Sequence, residues 1–114
     1  MEPLSIVAGT KVLLGTPATP MAKYISDAIG ETVSRVPGIV EAHIPQCFVA
    51  GIMETPAQVL VVVVDTKDSI GVALEVVSRR LAKILPTGMH LDVWPMDKNH
   101  PSLRAVRKTH CRIF

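Results

Sequence analysis

Gln58-Val59-Leu60-Val61-Val62-Val63-Val64 is the stretch of this sequence that decides the fold. Its apolar run is rich in β-branched residues, which favour strands, and falls far short of the roughly 18 residues of a membrane helix. A strand directs alternate side chains to opposite faces of a sheet, so this strand is apolar on both faces. Such a pattern is typical of a central strand in a sheet that is covered on both sides.

Two amphipathic helical patterns flank this strand. In each of them apolar residues recur at spacings of three and four, the repeat of a helix packed on one face. Thr19-Pro20 and Asp68 stand where helices begin, and Pro37-Gly38 and Pro86-Thr87-Gly88 end the two patterns. The predicted elements are a strand at 11–14, a helix at 20–36, a strand at 39–49 interrupted by Pro45, a strand at 58–64, a helix at 69–84, a strand at 89–94 and a short helix at 101–108.

The order strand–helix–strand therefore occurs twice, which predicts one α/β (α+β) domain over residues 1–114. Residues 1–10 are a lead-in, and residues 98–114 form a basic C-terminal helix and tail. We expect the ferredoxin-like split βαβ arrangement, with a four-stranded, mainly antiparallel sheet. Right-handed crossovers place two helices on one face of that sheet, to which the short C-terminal helix is added.

The second face of the central strand needs a cover of its own. Either the C-terminal helix folds over it or a second copy of the chain packs against it, because a bare apolar face usually marks an interface. We predict self-association through the sheet, as a homodimer. The candidate interface residues are Leu13, Leu60, Val62, Val64 and Trp94.

Positive charge is concentrated at the C-terminal end. Five of the 12 Lys and Arg residues lie in 98–114, and none of the 10 acidic residues does. Arg104, Arg107 and Lys108 are spaced to share one helix face. Together with Arg112 they are the candidate contacts for an anion or a protein partner.

Two structural interpretations of this basic end remain open. The charges either form a solvated face that balances the acidic body, or they help to anchor the helix. In the anchoring interpretation Trp94 gives apolar contact and Asp97 pairs with a basic residue. Because aromatic residues make up only 4% of the chain, base stacking is not expected, and we do not predict a nucleic-acid partner.

No catalytic or metal-binding pattern stands out. His43 and His90 lie on strands expected at opposite edges of the sheet, so they are not expected to converge on a metal ion. Cys47 is four residues from His43, about 13 Å along a strand, beyond hydrogen-bond reach for a thiol–imidazole pair. Gly15-Thr16-Pro17 lacks the repeated glycines and the lysine of a phosphate loop. We therefore expect a non-enzymatic protein without a cofactor.

The cellular location is predicted from equally simple features. The N-terminus shows no basic region followed by an apolar stretch, so no secretory signal is expected. Cys47 and Cys111 are too few for a disulfide framework and are expected to be reduced thiols. With no apolar run long enough to span a membrane, the chain is predicted to be cytoplasmic.

The order of the turn motifs resembles one known family. The motifs are Leu14-Gly15-Thr16-Pro17-Ala18, Val36-Pro37-Gly38-Ile39-Val40-Glu41-Ala42, Leu85-Pro86-Thr87-Gly88, Leu91-Asp92-Val93-Trp94-Pro95-Met96-Asp97 and Pro101-Ser102-Leu103-Arg104. Over residues 11–112 this order resembles the C-terminal domain of the enhanced serine sensitivity (SseB) family of bacterial proteins. Family members carry this domain after another of comparable size and often end in a Pro-Pro-Phe-Tyr-like sequence. Here only residues 1–10 precede it, and the chain ends Arg112-Ile113-Phe114.

The resemblance implies a fold more than a mechanism. The family has no established enzyme activity, and its name implies a link to amino-acid metabolism or its regulation. We therefore expect a non-enzymatic interaction or regulatory module that self-associates. The alternative is a small-ligand domain that senses an amino acid.

Overall fold

The computed structural model describes residues 12–114 of the chain. The lead-in predicted at 1–10 lies outside the described residues. Within them the protein is a mixed α+β structure whose strands and helices follow the order that the hydrophobic periodicity predicts. The elements are β1 (Val12–Gly15), α1 (Lys23–Ser34), β2 (Ile39–His43), β3 (Gln46–Val49), β4 (Ala57–Val64), a 3-10 helix (Lys67–Ser69), α2 (Ile70–Ile84), β5 (Asp92–Asp97) and α3 (Leu103–Arg107).

The strand β4 is the centre of the sheet, as its two apolar faces predict. On one side it pairs in parallel with β5, from Val59 opposite Asp92 to Val64 opposite Asp97. On the other side it pairs antiparallel with β2, where Val61 lies opposite His43, and with the first two residues of β3. The strands β2 and β3 are one predicted run divided at Ile44-Pro45, as Pro45 led us to expect.

The ferredoxin-like arrangement with four strands is not what the structure contains. There are five strands in residues 12–114, and β1 pairs with β3 rather than with the central strand. The reason is that β2 and β3 both pair with the same edge of β4. Together they fill that edge, so β1 cannot pair with β4. Because the C-terminal residues occupy the outer edge of β2, β1 pairs with β3 alone.

The sheet has a buried cluster on each face. The first cluster lies beneath α1 and α2, and it contains Leu60, Val62 and Val64 of the central strand. The second cluster contains the alternate residues of that strand and lies beneath α3. The two helices on one face were predicted correctly, and the C-terminal helix is the element that covers the other.

This arrangement changes the predicted dimer interface. Leu60, Val62 and Val64 are fully buried under the helices, and Trp94 is 8% exposed, so these four side chains are core residues. The prediction that they form an interface is wrong, because α1, α2 and α3 already cover both faces of their strands. Leu13 differs, with 48% of its surface exposed.

Two element boundaries differ from their predictions for a local reason. The helix α1 begins at Lys23 instead of Pro20, because the side-chain amide of Gln58 bonds the carbonyl of Thr19 and the amide of Met21, at 3.1 and 3.2 Å. The last strand runs three residues later than predicted. Its Pro95 is compatible with that position because proline is tolerated in edge strands.

Candidate functional site

The helix α3 is held on the second face of the sheet by two buried side chains. Leu103 and Val106 are three residues apart, so they lie on the same side of the helix. Both belong to the buried cluster that includes Trp94, Val59 and Val61. This places Trp94 where the anchoring interpretation of the sequence put it.

An ion pair between α3 and β2 adds a polar anchor. Arg107 donates from Nε and Nη2 to the two carboxylate oxygens of Glu41, at 2.9 and 2.7 Å. This fork-to-fork geometry is the strong, directional form of an arginine–carboxylate contact. The hydrogen bonds from Arg107 hold the pKa of the Glu41 carboxyl down at about 2, against an ordinary value of 4.5, although burial opposes the shift.

His43 extends this pair into a group of three side chains, of which Glu41 and His43 are buried and Arg107 is half-exposed. Its Nε2 bonds the Glu41 carboxylate, and its Nδ1 has no hydrogen-bond partner among the described residues. Glu41 and His43 face the same cluster because they lie two residues apart on β2. The anchoring interpretation of the sequence pairs a basic residue with Asp97 instead of Glu41. Asp97 accepts from the Asn99 amide at 2.9 Å and lies 3.8 Å from the Lys67 ammonium, so its basic partner is not on α3.

The outer surface of α3 forms a shallow basic basin of about 470 Å³. Lys98, Arg104 and Lys108 contribute cations that make no ion pair within residues 12–114. His100 adds an imidazole whose Nδ1 accepts from the Ser102 amide at 3.1 Å, so that its other ring nitrogen is the one free to donate. Within the described part of the chain no carboxylate lines this basin, which we call the α3 basin.

The four basic residues singled out in the sequence do not form a single cluster. Arg104, Arg107 and Lys108 all line the α3 basin, although Arg107 is also committed to Glu41. Arg112 lies beyond the helix and bonds the carbonyl of Phe114 at 2.9 Å. The shared helix face was therefore predictable from the spacing, and the position of Arg112 was not.

Residues 111–114, which we call the C-terminal strap, run along the outer edge of β2. The amide of Ala42 donates to the carbonyl of Phe114 at 3.0 Å, and the amide of Ile113 donates back to Ala42 at 2.9 Å. The amide of Ile44 donates to the carbonyl of the first strap residue at 3.0 Å. The strap thus adds an antiparallel β-bridge between Arg112 and His43 at the edge of the sheet, which the sequence patterns do not predict.

The other chemically interesting side chains stay apart. Cys47 is fully buried, and burial raises the pKa of its thiol to about 11, the opposite of an activated nucleophile. His90 bonds Asp92 on β5, while His43 lies on β2 across the central strand. Across residues 12–114, no three His, Cys, Asp or Glu side chains come close enough to hold a metal ion.

Comparison with known protein families agrees with the resemblance seen in the turn motifs. The family model for the SseB protein C-terminal domain matches residues 6–114, nearly the whole chain. The chain belongs to this family. The match to this SseB C-terminal domain includes the α3 basin and the C-terminal strap. Neither the curated proteins nor the solved structures include a significant match to it.

One further property of this SseB C-terminal domain follows from its helices. In the part of the chain that the structure describes, none of them is both long and apolar enough to cross a lipid bilayer. The longest, α2, has 15 residues and packs one side against the first buried cluster.

Proposed function

We propose that this domain is a non-enzymatic interaction module that binds an acidic segment of a partner protein in the α3 basin. The observation that carries the proposal is that Lys98, Arg104 and Lys108 line the basin without an acidic partner in residues 12–114. Basic side chains left free on one face raise the local concentration of negatively charged ligands and speed their association.

The anchoring of α3 supports this proposal. The helix has only five residues, too few to be stable alone, and depends on its contacts with the sheet. The buried Leu103 and the Arg107–Glu41 pair hold it in one orientation. A ligand therefore meets basic groups on a fixed surface, which lowers the entropy lost on binding.

The charge distribution favours a short acidic peptide over a nucleic acid. All 10 acidic residues precede Lys98, so the body of the domain would repel a long polyanion. The basin offers Leu103 as a buried apolar floor, and no Phe, Tyr or Trp among residues 12–114 lines it for base stacking. An acidic segment of limited length fits both observations.

The test is direct binding of a labelled oligoglutamate peptide, followed by fluorescence anisotropy at several salt concentrations. The variant Arg104→Glu with Lys108→Glu is expected to lose binding at least tenfold, since four units of charge change at the basin. The matched control is Arg79→Glu with Lys83→Glu on α2, the same charge change at exposed positions away from α3. Equal losses in both variants, or tighter binding of a single-stranded RNA of equal charge, would contradict the proposal.

A second candidate function is the sensing of an amino acid. The favouring observation is a cavity of about 280 Å³ between the C-terminal strap and the start of α1, lined by Ser26, Gln58 and Arg112 among others. A hydroxyl, an amide and a guanidinium suit the polar ends of a small zwitterion. In this case one or more amino acids are expected to raise the unfolding temperature of the domain. An unfolding temperature unchanged by every amino acid, serine included, would count against the sensing function.

Self-association stays part of the proposal. Of the predicted interface residues, Leu13 alone is exposed, and it lies opposite Phe48 on β3. It is therefore the residue that would support a contact through the sheet. If the dimer forms through this face, Leu13→Lys is expected to dissociate it, so that light scattering gives the molar mass of a monomer. A cytoplasmic location likewise stays a prediction from the sequence.

A further inference from the structure

We propose that the C-terminal strap exchanges between two copies of the chain, so that each copy supplies the strand that completes the outer edge of β2 in the other. The exchanged surface is the outer edge of β2, and the proposal does not depend on the binding function proposed above, although its hinge residue His110 also lines the α3 basin. Its occupant is a defined segment, residues 111–114 of a second copy.

The first support is the nature of the contacts that hold the strap. Its bonds join the strap backbone to backbone atoms of Ala42 in β2 and of Ile44 just after it, at 2.9 to 3.3 Å. Such bonds require a strand of the right register and do not require that it come from the same chain. An identical strap from a second copy fits the same edge without any new contact.

The second support is the close fit between the strap and helix α1. A methyl group added to Gly30 of α1 would lie 2.7 Å from the carbonyl oxygen of Ile113, so the helix leaves room for the strap backbone only because residue 30 is glycine. The Ile113 side chain also packs against the first buried cluster. The edge of β2 is thus shaped for this sequence, which makes a second copy the best-fitting partner.

The third support is the hinge. His110, between α3 and the strap, has φ of +56°, and among the described residues it is the only non-glycine residue with positive φ. The left-handed region is strained for a residue with a Cβ and persists where surrounding contacts impose it. In the monomer the strap turns back onto its own β2 through this strained residue. In an exchanged dimer the hinge opens and the strain is released, while the strap contacts with β2 and α1 are kept.

The test varies the hinge alone and measures mass by light scattering over a range of concentrations. His110 is exposed, so the variants leave the core unchanged. His110→Val, which opposes positive φ more strongly, is expected to raise the association constant by about tenfold or more, and His110→Gly to lower it by a similar factor. The matched controls are Lys108→Val and Lys108→Gly, at an exposed residue with an ordinary φ of −71°, where no opposite pair of shifts is expected.

A second measurement identifies the exchanged element. A dimer of the His110→Val variant is prepared from isotope-labelled and unlabelled copies, and intermolecular nuclear Overhauser effects are recorded. Contacts between Gly30 of one copy and Ile113 of the other are expected. A monomer at every concentration, or a dimer whose Gly30–Ile113 contacts are all within one copy, would overturn the proposal. In the second case a Leu13 interface would be the remaining explanation.

Discussion

Arg107 of α3 and Glu41 of β2 are joined by two hydrogen bonds although 66 positions separate them in the chain. The two ends of the pair differ in environment. Glu41 is only 5% exposed, whereas the Arg107 side chain keeps 55% of its surface exposed. A buried carboxylate without this guanidinium would be an uncompensated charge in the core. The position of α3 on the sheet is therefore coupled to the charge of one carboxyl group.

The first prediction is a loss of stability in acid. The pKa of Glu41 is lowered from 4.5 in the unfolded chain to about 2 in the folded protein. A carboxyl with a depressed pKa stabilises the fold above its unfolded pKa, and this stability is lost as pH falls through the folded pKa. The free energy of unfolding should therefore fall by about 3 kcal/mol between pH 5 and pH 2 from this group alone. Denaturant unfolding at successive pH values measures the fall.

Glu41→Gln is the control for this pH dependence. The amide keeps the shape of the side chain but cannot titrate, so the variant should be less stable near neutral pH and should show a shallower decline in acid. If the variant and the original chain lose the same free energy between pH 5 and pH 2, other carboxyl groups cause the decline. The assignment to Glu41 would then be wrong.

The second prediction separates the two arginines of α3. Arg107→Ala leaves the buried Glu41 carboxylate with His43 as its remaining side-chain partner among the described residues and should cost about 2–3 kcal/mol of stability. Arg104→Ala, one helical turn away on the exposed surface, should change stability by less than about 0.5 kcal/mol. Denaturant midpoints of the two variants provide the measurement. Similar costs for both would mean that the Glu41 contact does not anchor the helix.

The sequence predicts much of the fold, and the reason lies in local patterns. The apolar run ending at Val64 determines the central strand, and the periodicity from Ile70 to Ile84 gives a helix with those bounds. The pairing order of the strands is not contained in these local patterns. It depends on which segment pairs with the outer edge of β2. In this protein that segment is the C-terminal strap, and it therefore leaves no room there for another strand.

The candidate site is predicted less completely, also for physical reasons. The spacing of Arg104, Arg107 and Lys108 predicts a shared helix face, which the structure has. It does not reveal that a bulge between Ile39 and Glu41 interrupts the pairing of β2 just before the carboxylate that meets Arg107. The sequence did contain a signal: Glu41 lies among the apolar residues of a strand, and a buried carboxylate is stable only with a charged or hydrogen-bonding partner.

The third prediction concerns the two faces of the sheet. Leu60→Ala removes a fully buried side chain beneath the helices and should cost about 2–5 kcal/mol. Leu13→Ala truncates a half-exposed side chain and should cost less than about 1 kcal/mol by the area it exposes. Unfolding free energies of the monomeric variants decide the matter. Equal costs would contradict the assignment of Leu60 to the core and of Leu13 to the surface.

The fourth prediction concerns thiol reactivity. The thiol of Cys47 is fully buried and its pKa is raised to about 11, mainly by burial, so it should hardly react in the folded protein at pH 8. Cys111 is partly exposed in the strap and should react readily. A chromogenic disulfide reagent should therefore titrate one thiol quickly and the second only after unfolding. The Cys111→Ser variant should lose the fast phase. A fast phase that remains in this variant would show that the reagent reaches Cys47 in the folded protein.

The fifth prediction tests the close contact between α1 and the C-terminal strap. A Cβ at residue 30 would lie 2.7 Å from the carbonyl oxygen of Ile113, a backbone atom held by its neighbours on β2. Gly30→Ala should therefore cost about 1–3 kcal/mol through overpacking, even though alanine favours a helix by about 1 kcal/mol. Gly71→Ala in α2 is the matched control, because nothing lies within 4 Å of its added Cβ. There the helix preference acts alone, and the variant should gain about 0.5–1 kcal/mol. Opposite signs in denaturant unfolding are the expected result, and a stabilised Gly30→Ala variant would show that the strap does not pack against α1.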